Sequence, residues 1–93
     1  MRQEELGDIL LDGTLKGKNF MIATEIITEA KRRGITDGLR TSNVSRVANI
    51  LKKRRKFVKI EKVLRGHIGV NHYSLTRLGL SEMKRARRFY GVS

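Results

Sequence analysis

The chain has 93 residues, 39% of them hydrophobic, with no cysteine, tryptophan or proline and a net charge of +12. A length of this order fits one small domain, read here as a single unit over residues 1–93, with a mostly aliphatic core held by packing alone. The lack of cysteine excludes disulfides, thiolate nucleophiles and cysteine-containing zinc sites. No apolar run approaches the roughly 18 residues of a membrane span, and the opening MRQEELGDILLDG is acidic where a signal peptide begins basic. The expectation is a cytoplasmic protein with no membrane partner. Catalysis is not expected either: GTLKGKN lacks the spacing of a phosphate-binding loop and no nucleophile sits in a known elbow, so no catalytic residue, cofactor or metal is assigned. The charge is uneven. Residues 1–13 carry a net −3, so residues 14–93 carry +15, a density that attracts nucleic acid phosphates by counterion release.

The first predicted helix runs from Gln3 to Leu11, with Leu6, Ile9 and Leu10 at helical spacing, an acidic start, and Asp12-Gly13 as its stop. Its acidity predicts that it faces away from an anionic partner. TLKGKNF reads as a loop or short strand. IATEIITEAKRRG is the second helix, with Ile22, Ala23, Ile26, Ile27 and Ala30 as its stripe and Gly34 as its C-terminal stop. Asp37-Gly38 turns the chain, and Thr41, Ser42 or Asn43 supplies the N-cap of a third helix. There Val44, Val47, Ala48 and Leu51 fall within about 100° on a helical wheel, the stripe of a helix docked on a core. The opposite face carries Ser42, Ser45, Arg46, Asn49 and Lys53.

Lys52 to Lys56 is an unbroken run of five basic residues, after which FVKIEKV alternates and predicts a strand to Arg65. A Gly66–Gly69 turn and a returning strand over His72–Leu75 complete a hairpin. Thr76 caps a last helix through about Tyr90, in which Leu80, Met83, Ala86 or Arg87, and Tyr90 keep helical spacing. Lys84, Arg85, Arg87 and Arg88 give it a second basic cluster.

The segment YSLTRLG, with Tyr73, Leu75, Thr76 and Gly79, resembles the end of the wing in multidrug-resistance-type winged helix-turn-helix regulators. ATEI at 23–26 resembles the helix that packs across the recognition helix, and SNVSRVANILKKRRKFVKI at 42–60 resembles the recognition helix running into the wing. The resemblance spans roughly residues 5–90, and small basic members of this kind resemble those of archaea, their viruses and plasmids. GITDGLRTSN is longer than the usual three- or four-residue turn, so the family's crossing angle for these helices does not carry over directly. The resemblance implies an α+β fold: a three-helix core, a two- or three-stranded wing and a C-terminal helix.

It also implies a DNA-binding regulator, with the recognition helix of about residues 42–55 in the major groove of double-stranded DNA and the wing of about 57–75 on backbone or minor groove. Ser42, Asn43, Ser45, Arg46, Asn49, Lys52 and Lys53 are then the recognition-helix contacts. Arg46 suits guanine and Asn49 adenine, both in bidentate fashion. Arg40, Thr41, Lys56, Arg65, His67 and Asn71 are the phosphate and wing contacts, while Ile68 and Val70, apolar at the wing tip, either pack against each other or touch the sugars of a minor groove. His67 and His72 point to opposite faces of the hairpin and do not make a metal pair. The last helix, through Met83, Phe89 and Tyr90, is where a homodimer would pair. The expected setting is the nucleoid. Ribosomal-type RNA binding and a protein-interaction winged helix with an acidic partner are the alternatives, and the scarcity of aromatic platforms weighs against the first.

Overall fold

The computed structural model describes residues 1–89. Three helices, α1 (Gln3–Leu15), α2 (Ala23–Arg32) and α3 (Thr41–Ile50), precede an antiparallel hairpin, β1 (Val58–Arg65) and β2 (Ile68–Leu75), and a last helix α4 (Arg77–Phe89). The starts and stops of α1 and α2 have local causes. Glu5 and Glu25, the third residues of α1 and α2, accept hydrogen bonds from the backbone N–H of Arg2 (2.7 Å) and Ile22 (3.0 Å), satisfying donors that the helices leave unpaired. The helices α1 and α2 both end in Schellman motifs, with left-handed Gly17 and Gly34 just beyond them.

Gly34 therefore stops α2 as its sequence predicts, whereas Asp12-Gly13 does not stop α1. Gly13 stays helical because Met21 packs against it, leaving only 2.9 Å between the Met21 sulfur and the place a Cβ would occupy, and the helix runs on to Leu15. The N-cap of α3 is Arg40, which makes no side-chain cap bond, rather than Thr41, Ser42 or Asn43. The hairpin is tighter than predicted: Arg65 pairs with Ile68, so the turn is Gly66-His67 alone and β2 begins four residues before His72. Met21 adds one backbone bridge to Tyr73, 2.8 Å in both directions, which fixes the α1–α2 connection to the wing's root.

The core is aliphatic with one aromatic. Leu6, Ile9 and Leu10 of α1, Ile26 and Ala30 of α2, Val44, Val47 and Ala48 of α3 and Leu51 just after it, and Val58 and Tyr73 of the hairpin form one buried cluster. Full burial of each such aliphatic side chain stabilises by about 1.5–3 kcal/mol. Around it runs a charge cluster. Arg33, after α2, reaches Asp12 at 2.5 Å, Glu29 at 3.0 Å and Asp8 at 3.6 Å, while Arg87 of α4 reaches Asp12 at 2.6 Å and also Asp8. Arg87, part of the predicted basic cluster, is thus committed to α1, and Lys84, Arg85 and Arg88 remain exposed.

Two features of YSLTRLG explain themselves here. Thr76 caps α4, its Oγ1 accepting from the Gly79 N–H at 3.0 Å and donating to the Lys56 carbonyl at 2.7 Å. Gly79 lies so near the strand that an added Cβ would fall 2.1 Å from the Phe57 carbonyl oxygen. A Gly79→Ala variant is expected to lose about 3 kcal/mol of unfolding free energy in urea titration, because backbone must move to admit the methyl; a loss below about 0.5 kcal/mol would show that α4 is not held this closely.

Hydrogen bonds from Arg32 and Arg33 hold the Glu29 carboxyl at about 2, below its ordinary 4.5. Burial raises the Asp12 carboxyl, but hydrogen bonds from Arg87 and Arg33 outweigh it and leave the group below its ordinary 3.8. Both pKa values are depressed by folding, so the stabilisation is present above the ordinary values and is lost as pH falls through the folded ones. The melting temperature should therefore drop from pH 4.5 toward about 2, and Asp12→Asn should make that drop shallower in a series of thermal melts.

Candidate nucleic-acid interface

With its apolar stripe sealed in the core, α3 can turn only one side outward. Thr41, Ser42 and Arg46 on that side are exposed, as is Arg40 before it, while Ser45 and Asn49 are half-buried at its edge. The Asn49 amide Nδ2 donates to the Ser45 carbonyl at 2.9 Å, so reading adenine requires that side chain to turn away from its own helix. The Asn43 Oδ1 accepts from the Met1 ammonium at 3.2 Å, and the same ammonium donates to the Asp37 carbonyl at 2.8 Å, so Asn43, half-buried, also fastens the α2–α3 connection. At 100° per residue it stays within about 60° of Arg46, and the two border one concavity with Arg40 and Ser42.

Past Ile50 the helix widens into a π turn, Leu51–Arg55. Its hydrogen bonds span one residue more than those of an α-helix, so Lys52, Lys53, Arg54 and Arg55 fan out around the helix end, all four exposed. Lys56 then reverses the chain with φ 61° and ψ 27°, making it the one non-glycine residue at positive φ among the described residues. A side chain in that conformation costs about 1–2 kcal/mol. The Thr76 hydroxyl, the Phe57 N–H bonded to the Leu51 carbonyl at 3.1 Å, and the Arg55 guanidinium 5.9 Å over the Phe57 ring hold the reversal. The result is a collar of five cations between α3 and the hairpin.

A cleft of about 480 Å³ separates α3 from the hairpin. Ile22, Val70 and Tyr73 give it apolar walls, and Thr24, Thr41, Ser42 and Ser45 line it with hydroxyls; no Lys or Arg lines it. Asn71 also borders the cleft, its Nδ2 donating to the Tyr73 hydroxyl at 3.3 Å. A second concavity beside the start of α3 holds Arg40, Ser42, Asn43 and Arg46 with Gly38. Arg65 and His67 are exposed at the hairpin's end, away from the collar.

Thr41, Ser42, Ser45 and Asn71 thus border the cleft, and Arg40, Ser42, Asn43 and Arg46 border the second concavity, while Lys52, Lys53, Lys56, Arg65 and His67 are exposed outside both. Thr24, in the lining of the cleft, was not among the expected contacts, since a threonine on the outer side of α2 carries no signal until the hairpin folds back over α3, whereas Val70, expected near a groove, does line it. His72, half-buried, stacks on Phe20 with ring centroids 3.6 Å apart, another pairing that no local pattern announces. No group of three His, Asp or Glu side chains able to hold a metal occurs among the described residues.

No protein-family model and no curated protein matches the sequence. Among solved structures, the chain is similar to the X-ray structure of a PadR-like transcription factor from Bacteroides fragilis. The TM-score is 0.69 and the identity 19%, over 94% of this chain and 79% of that one. At that identity the likeness is one of fold, and it joins the four helices and two-stranded antiparallel sheet in one conclusion: the chain has an α+β winged-helix fold.

Proposed function

We propose that this protein binds double-stranded DNA as a transcription regulator, with α3 in the major groove and the hairpin on the backbone or minor groove. The observation that carries this reading is the continuity of exposed donors from Arg40 through Ser42 and Arg46 into the Lys52–Lys56 collar, on a helix whose other side is fully committed to the core. A polyanion relieves the mutual repulsion of five adjacent cations. The winged-helix likeness to a transcription factor supports the same reading.

Arg46 is the residue suited to bidentate contact with guanine, and Lys52, Lys53, Lys56 and Arg65 neutralise phosphates. Ser42, Ser45 and Thr41 serve as hydroxyl donors to the strand that lies along the cleft. The protein does no chemistry of its own, acts as a single unit over residues 1–93 on the nucleoid, and pairs with a second copy through α4. Met83 packs within its own chain against Gly7, so it supports α4 rather than the seam. Phe89 is the exposed apolar residue at the end of α4, and Tyr90 lies outside the described residues.

Gel shifts with duplex DNA, structured RNA and buffer alone test the reading, with the duplex retained and RNA bound only at low salt. Preference for RNA at physiological salt would overturn it. Arg46→Ala should cost about 1–3 kcal/mol at one base pair of a selected site while sparing binding to random sequence. Lys56→Gly separates stability from function: relief of its left-handed strain should raise stability by about 0.5–1 kcal/mol in urea, while affinity for every duplex falls and the salt slope shrinks by about one unit.

A further inference from the structure

Most large apolar side chains of the hairpin are covered, but at its end Leu64 and Ile68 are 73% and 69% exposed. They sit on adjacent rungs, Leu64 opposite Gly69 and Ile68 opposite Arg65, and therefore point to opposite faces of the ribbon. Neither has an apolar cross-strand partner, because Gly69 offers no side chain and Arg65 is charged. The Lys62 stem lies over Gly69, its Cε 2.4 Å from where a Cβ would be, which directs the Lys62 ammonium toward the same end. The turn itself is narrow, a left-handed Gly66 followed by His67. Two apolar projections flanked by Lys62, Arg65 and His67 are therefore carried at the extremity of a two-stranded ribbon.

We infer that this tip is a wedge that enters the minor groove and bends the duplex, an inference that rests on the DNA-binding reading above. Charge complementarity selects the occupant: apolar groups ringed by cations fit a cavity with a sugar-lined interior and a phosphate rim. Size then dictates the consequence. A strand pair with side chains on both faces is about 10 Å thick, whereas the minor groove of B-DNA is about 6 Å wide. The bare turn at Gly66 fits, but Leu64 and Ile68 behind it do not, so seating them opens the groove and unstacks or rolls the base step beneath. Flexible pyrimidine–purine steps yield most readily, so the wedge also confers a preference for such a step at a position that no side chain reads.

The test measures end-to-end energy transfer on a duplex of about 25 base pairs, drawn from sequences that the wild-type full chain selects from a random pool. Wild type should bend it by about 20–90°. The double variant Leu64→Ser/Ile68→Ser, whose exposed positions leave the fold intact by thermal melt, should bend it less and bind about tenfold more weakly with an unchanged salt slope, because no charge is removed. Leu64→Met/Ile68→Met should keep the bend, which separates an apolar wedge from a merely altered strand. A straight duplex with wild type, or a bend and affinity that survive the serine variant, overturns the inference while leaving DNA binding standing. If the serine variant changes the sedimenting species from dimer to monomer with the bend intact, the tip belongs to a contact between copies and the inference is likewise overturned. Failure of wild type to hold any duplex overturns both readings.

Discussion

The cationic side of the molecule depends on the seating of α3. Val44, Val47, Ala48 and Leu51 have no exposed alternative: all four are buried with Leu6 and Ile9 of α1 and Ile26 of α2, so the helix cannot roll without exposing them. Each truncation there would leave a cavity worth several kcal/mol, about 2–5 for a leucine cut to alanine. This apolar commitment on one side makes the outward direction of Ser42 and Arg46 a property of the fold rather than of those residues themselves. The same cluster includes Val58 and Tyr73, which fix the root of the hairpin, so one core positions both helix and wing.

Charge is partitioned to match. Asp8, Asp12 and Glu29 are held by Arg33 and Arg87, which draws α4 onto α1, and among the described residues no ion pair involves the Lys52–Lys56 collar. Those exposed cations contribute little to folding, since surface charges are well screened, and their repulsion is a cost borne by the free protein. Lys56 adds a conformational cost to the electrostatic one. The π turn and the left-handed lysine lie where strain commonly marks a working surface.

Much of this arrangement was legible from residue order. The stripe of α3, the Gly34 stop, the Thr76 cap and the hairpin all follow from periods and caps whose causes are local. What was not legible came from contacts distant in sequence. Gly13 remains helical because Met21, eight residues on, fills the space beside it, and the true stop at Gly17 lay within what read as loop. The strand β2 starts early because a two-residue turn with left-handed Gly66 suffices, although Gly66 and Gly69 together suggested a longer bend. Arg87, which read both as a stripe position and as part of a basic cluster, had partners no local pattern names, Asp8 and Asp12 of α1. Asn43 and Asn49, polar and correctly spaced, turned to the Met1 ammonium and to Ser45, partners that a helical wheel does not display.

The placement of the binding surface is tested most directly by backbone amide shifts of the 15N-labelled protein as duplex DNA is added. The account predicts that the largest changes fall on residues 40–56 and on the hairpin end around Arg65 and Ile68, with the exposed side of α1 unmoved. Changes centred on α1, with Arg46 and the collar silent, would contradict it.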